Sequence, residues 1–151
     1  MKIAVVTGTS TGIGLTTSLH LARNGYQVFA GMRNLAKAEA LQTAAAAENL
    51  PVTVVQLDVC DADSVAQAFA EVEKTGPVDV LINNAGIGGA APLELVPEEE
   101  HKQMFETNYF GVVRCIQAVL PSMRERQTGS IVNITSAVGL QATPNQIAYS
   151  A

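Results

Sequence analysis

Ile3-Ala4-Val5-Val6-Thr7-Gly8-Thr9-Ser10-Thr11-Gly12-Ile13-Gly14, close to the start of the chain, decides the reading of the fold. Four consecutive apolar residues read as a strand buried on both faces, because a half-exposed strand would alternate. Three glycines in seven residues follow. Leu15, Leu19 and Ala22 then recur at helical spacing. A strand that runs through a glycine turn into a helix is an anion site in outline. Glycine lets the backbone turn tightly and approach a ligand, and the helix N-terminus offers N–H groups that have no partner within the helix. The pattern is G-x-x-x-G-x-G. The general dinucleotide fingerprint G-x-G-x-x-G is not met, because Thr17 stands in its last position. An ordinary glycine-rich connection is the competing reading, and the buried strand directly before the turn favours phosphate binding.

The same alternation continues outward. Residues 28–30, 52–57, 78–82 and 131–134 are further apolar runs of strand length. Between them lie amphipathic stretches. Leu35, Ala38, Leu41 and Ala45 mark a second helix. Val65, Phe69 and Val72 mark a third, after the capping candidate Asp61. Phe105, Val112, Ile116, Val119 and Met123 mark a long fourth, with Glu98-Glu99-Glu100 as its acidic first turn. Alternating strands and helices imply right-handed βαβ units, hence an α/β Rossmann-type doubly wound parallel sheet with helices on both faces and strand order 3-2-1-4-5. With no linker and no repeat, residues 1–151 read as a single dinucleotide-binding domain. Residues 144–151 read as a helix beginning near Asn145, inside which the chain ends. The 151-residue chain by itself is therefore expected to be truncated and inactive, with the face carrying Val112, Ile116 and Val119 left partly open.

Composition bounds the function classes. Hydrophobic residues make up 48% and charged residues 15% of the 151, so the chain can fold around a core. The net charge of −5, with no basic stripe, argues against nucleic acid as a partner. No apolar run reaches membrane-spanning length, and no secretory signal precedes the first strand, so a cytoplasmic location is the default expectation. Cys60 and Cys115 do not form a disulfide framework, and His20 and His101 have no ligand cluster, so no metal site is expected.

Five further motifs follow in order: Asp58-Val59 after the third strand, Asn83-Asn84-Ala85-Gly86 after the fourth, Asn108 in the long helix, Ser136 after the fifth strand, and Tyr149 thirteen residues later. With Thr7-Gly8-x-x-x-Gly12-x-Gly14, this set resembles the classical short-chain dehydrogenases/reductases over the whole chain. The resemblance implies cofactor contacts from Gly8, Ser10, Thr11, Gly12, Ile13, Gly14, Asp58, Val59, Asn84, Ala85, Gly86 and Tyr149. It implies that Ser136 orients a carbonyl substrate and that Tyr149 is the acid/base. It implies that Asn108 helps to hold a lysine and a proton-relay water. The family pattern Y-x-x-x-K places that lysine at position 153, beyond Ala151. It further implies a small-molecule carbonyl or alcohol substrate and a homo-oligomer, dimer or tetramer.

The choice of cofactor is open to a direct reading. An NAD site carries an acid about 20 residues beyond the glycines, where it binds the ribose 2′-hydroxyl. Ala30-Gly31-Met32-Arg33-Asn34 has none. Arg33 stands where a guanidinium would fork onto a 2′-phosphate, and Lys37 lies one turn on. NADP(H) is favoured over NAD(H). The expected function is an NADP(H)-dependent oxidoreductase that interconverts a ketone or aldehyde and an alcohol. Two alternatives stay open at this point. One is a non-catalytic NADP-binding fragment or sensor. The other is an extended-type sugar-nucleotide epimerase or dehydratase, whose T-G-x-x-G-x-x-G turn fits the spacing less well.

Overall fold

The structure, a computed structural model, describes residues 1–151. Its centre is the strand read first. β1 (Lys2–Thr7) pairs in parallel with β2 (Tyr26–Met32) on one side and β4 (Val78–Asn83) on the other. β3 (Val52–Gln56) extends the sheet beyond β2, and β5 (Ser130–Asn133) extends it beyond β4. The order β3-β2-β1-β4-β5, all parallel, is the doubly wound order expected.

Period-two geometry explains why β1 is apolar throughout. Ile3 and Val5 point to one face, into a core with α3 (Ala62–Glu73) and α5 (Gly111–Arg126) that includes Val65, Phe69, Cys115 and Val119. Ala4 and Val6 point to the other, where they meet Ala22 of α1 (Gly12–Arg23). On that same face Leu19 of α1 packs with Leu41 and Ala45 of α2 (Glu39–Ala47). Helix starts follow their signals. Asp61 accepts N–H bonds from Asp63 and Ser64 at 2.9 and 3.2 Å and caps α3.

Four local differences from the sequence expectations have physical causes. The second helix begins at Glu39. Leu35–Lys37 form a separate 3-10 turn, because the Asn34 side chain accepts from Ala36 N at 3.0 Å and competes with helix formation. The long helix is two helices, α4 (Glu98–Phe105) and α5, joined by a π-helical stretch, Glu106–Phe110. β5 is the outermost strand of the described residues: Ile131 packs on the core, while Val132 and Ile134 are 43% and 41% exposed. α6 (Ile147–Ser150) starts two residues beyond Asn145, which takes a left-handed φ of 65°.

The α5 face also differs. Val119 is buried, and Ile116 packs against the core. The exposed apolar side chains on this helical pair are Phe105, Tyr109, Phe110 and Leu120. No helix is long and apolar enough to cross a membrane.

Cys115, fully buried beneath β4, has its thiol pushed up to about 12 by burial. The folded protein therefore keeps a proton that the unfolded chain gives up near the ordinary thiol value of about 8.5. Stability from this residue is intact below that value and declines between about pH 9 and 12, by up to ~1.4 kcal/mol per pH unit. Urea unfolding across pH 8–11 should show this decline, and Cys115→Ala, though less stable at pH 8, should show a shallower one.

Candidate functional site

The C-terminal ends of the parallel strands are where ligands bind in sheets of this kind. Here they open on a cleft of about 730 Å³. Gly8, Ser10, Thr11, Gly12 and Ile13 form one wall, Arg33 stands at one end, and Asp58 and Val59 form the side opposite. Asn84, Ala85 and Gly86 close the cleft toward β4.

The glycines divide into two kinds of work. Gly8 and Gly12 have φ of +70° and +58°, which L side chains rarely adopt. A Cβ on Gly12 would meet no atom within 4 Å, so its bare backbone borders open cleft. Gly14 does not line the cleft. It is buried, and a Cβ there would stand 2.3 Å from the Gly8 oxygen. Its lack of a side chain lets the helix seat against its own turn.

The start of α1 suits an anion. Thr11 makes no side-chain cap, and the first turn holds no acid, so the leading N–H groups have no side-chain partner. With the dipole behind them, they fit a pyrophosphate at the glycine wall.

Thr7, which the candidate residues of the sequence did not include, is the hub of the turn. Its Oγ1 accepts from Asn84 N at 3.0 Å and from Ala85 N at 2.9 Å. Asn84 Nδ2 donates back to Thr7 O and Gly8 O at 2.9 and 3.0 Å. Asn83 reaches the other way, donating to Asn133 Oδ1 at 2.8 Å on the neighbouring strand. These asparagines tie strand ends together. Asp58 is held likewise, with Oδ1 accepting from Cys60 N at 3.0 Å. Arg33 is exposed and makes no ion pair or hydrogen bond within the chain, so its charge is available to a ligand.

A second cavity, of about 410 Å³, continues from the first. Asn84, Ala85, Gly86 and Ile87 line both. Asn108, Ser136 and Tyr149, separated by up to 41 positions in sequence, all line it. Ser136 caps the short turn Ala137–Gly139, with Oγ accepting from Val138 N at 3.4 Å, which leaves its hydroxyl proton free to donate. The Tyr149 ring lies beside Gly88, where a Cβ would stand 3.5 Å from it.

Asn108 sits in the π-helical stretch, a rare conformation that recurs at functional sites. Its amide is used at both ends by the backbone of Ile87. Oδ1 accepts from Ile87 N at 2.9 Å, and Nδ2 donates to Ile87 O at 2.8 Å. The side chain is therefore a clasp between helix and loop. Arg114 adds a strut that local sequence could not reveal. It donates to Val59 O at 3.1 Å and pairs with Glu106 at 2.5 Å, which joins the cleft wall to the π-helical stretch.

The sequence pattern that defines the short chain dehydrogenases matches residues 2–151. This chain belongs to that family. The family consists of oxidoreductases that use nicotinamide cofactors. A bovine (Bos taurus) retinol dehydrogenase 8 is 45% identical over 99% of this chain and 49% of its own length. A 3-oxoacyl-[acyl-carrier-protein] reductase of Staphylococcus epidermidis is 40% identical over 99% of this chain and 62% of its own. The chain thus spans between about half and three-fifths of these relatives. Among solved structures, a gluconate 5-dehydrogenase from Burkholderia cenocepacia in complex with NADP and tartrate superposes with a TM-score of 0.90 at 33% identity, covering 99% of this chain and 59% of that one. An actinorhodin polyketide ketoreductase with NADPH does so with a TM-score of 0.94 at 34% identity, covering 99% of this chain and 58% of that one.

The dehydrogenase turn depends on the Thr7 hydroxyl. Thr7→Val keeps the shape and strands two N–H groups, each worth about 1–3 kcal/mol when left unpaired in the interior. Chemical denaturation should show a loss of roughly 2–5 kcal/mol for Thr7→Val and a much smaller one for Thr7→Ser.

Proposed function

We propose that the protein is an NADP(H)-dependent oxidoreductase that interconverts a ketone or aldehyde and the corresponding alcohol. The observation that carries this reading is the shared cavity of Ser136 and Tyr149, continuous with the nucleotide-sized cleft. When bound, the nicotinamide supplies hydride chemistry. The chain's own groups do the rest. The glycine wall and the N-terminus of α1 hold the pyrophosphate. Asp58 and Val59 border the adenine. Gly86 leaves room beside Asn108, whose clasp on Ile87 keeps the loop in place.

Ser136 Oγ donates a hydrogen bond to the substrate carbonyl oxygen and fixes its position. Tyr149 Oη gives its proton to the oxygen as the alcohol forms, and takes one when the alcohol is oxidised. The retinol dehydrogenase and the acyl-carrier-protein reductase among the relatives both bear names of this chemistry. A binder without catalysis would have no need for a serine and a tyrosine in one cavity.

Arg33 supports NADP(H) as the cofactor. A guanidinium on the 2′-phosphate is worth about 1.5–3 kcal/mol, or roughly ten- to a hundredfold in affinity. The NADP and NADPH complexes among the structural neighbours support the same choice. The exposed Phe105, Tyr109, Phe110 and Leu120 support a homo-oligomer.

Two substitutions in the full-length protein test the reading. Arg33→Asp should lower NADPH affinity at least tenfold and improve that for NADH, measured by fluorescence titration; an unchanged ratio would remove Arg33 from the account. Tyr149→Phe keeps the ring and loses the proton. Its turnover should fall about a hundredfold or more while NADPH still binds. Near-normal turnover in that variant contradicts the mechanism.

A further inference from the structure

Beside the cavity that holds Ser136 lies a third space, of about 230 Å³, which shares Tyr149 with it. Its character is different. Leu93, Val96, Met104 and Ile147 are among its eight apolar lining residues, and Gly89 adds no side chain to it. A Cβ on Gly89 would stand 3.5 Å from the Met104 methyl. An apolar recess with one reactive side chain at its mouth suits the inert part of a substrate whose reacting carbon sits at that side chain.

We propose that this recess receives the hydrocarbon flank of an uncharged ketone or secondary alcohol, with Met104 setting the length accepted. The inference rests on the reading of Tyr149 as the proton donor. At about 30 Å³ per water-sized group, the recess takes a flank of on the order of seven heavy atoms.

Charge narrows the class further. Exposed Glu100 and half-buried His101, near the start of α4, also line the recess. Glu98 is paired with Lys102 at 2.6 Å, whereas Glu99 and Glu100 have no cationic partner. Glu100 is exposed, so its charge is screened by water; an anionic flank is disfavoured chiefly because it would lose its own water in the apolar recess. A free apolar alcohol or ketone fits this recess. A carboxylate-bearing flank or a phosphate-bearing thioester does not. Between the two substrate kinds named by the relatives, the recess favours the unattached hydrocarbon.

The test uses the full-length protein and methyl ketones with straight chains of three to twelve carbons, together with ω-carboxylated versions of the same lengths. Each buried methylene should raise kcat/KM about fourfold, the equivalent of ~0.8 kcal/mol, until the recess is full. Neutral ketones should exceed their carboxylated counterparts by at least about tenfold, and Glu100→Gln, at an exposed position, should change that gap only slightly.

Met104→Ala should move the length at which the rise stops upward by two or three carbons, and Met104→Phe should move it down. Calorimetric binding of the same ketones to the protein saturated with NADP⁺, where no reduction occurs, reads the recess independently of turnover and should show the same length limit. A length profile that neither Met104 substitution moves, or carboxylated ketones used as well as neutral ones, overturns the proposal. Binding with the expected length limit but no turnover would uphold the recess and instead overturn the oxidoreductase reading on which its catalytic use depends.

Discussion

The pair of hydrogen bonds that Thr7 Oγ1 accepts from the backbone of Asn84 and Ala85 is the interaction on which the site depends. β1 and β4 are neighbours in the sheet but are separated by about half the chain. Both end at the same level, and each must turn away from the sheet there. The Thr7 hydroxyl and the Asn84 amide cross-link the two turns where they separate, which fixes the glycine wall relative to the Asn84-Ala85-Gly86 wall. A cleft between two loops that moved independently would not hold a pyrophosphate and a carbonyl carbon in register at once. Hydride transfer tolerates little misplacement.

The same logic of tying loops together extends to the catalytic side. Asn108 spends its amide on Ile87. Arg114 links Val59 to Glu106 across the π-helical stretch. Gly111 allows α5 to lie against Val59, where a Cβ would stand 2.8 Å from a Val59 methyl. The nucleotide wall at residues 58–60 and the segment that carries Asn108 therefore form one packed unit. Ser136 and Tyr149 enter from beyond β5, on the cap of a short turn and on a short helix with no fully buried residue.

Much of this was legible in the sequence. The apolar run of β1, the glycine turn and the helical period of α1 sufficed for the parallel sheet, because strands covered on both faces have no polar alternation to hide them. The motif residues fell into two adjoining cavities, apart from Gly14, whose contact is internal. Other features were not legible. The π-helical stretch leaves no trace in a hydrophobic period that continues through it from Phe105 to Val112. Arg114 reads as an ordinary helix-surface cation until Val59 is brought beside it.

The central proposal is that the full-length protein moves a hydride between a nicotinamide cofactor and a carbonyl carbon. The most direct measurement is isotopic. The full-length protein is given NADPH carrying deuterium on the transferable position of the nicotinamide, together with an apolar methyl ketone, and the alcohol formed is analysed by mass spectrometry and NMR. The account predicts one deuterium on the carbinol carbon and a single predominant configuration there, since Ser136 and Tyr149 hold the carbonyl in one orientation. An alcohol free of deuterium, or no alcohol formed while NADPH binds normally, would contradict it.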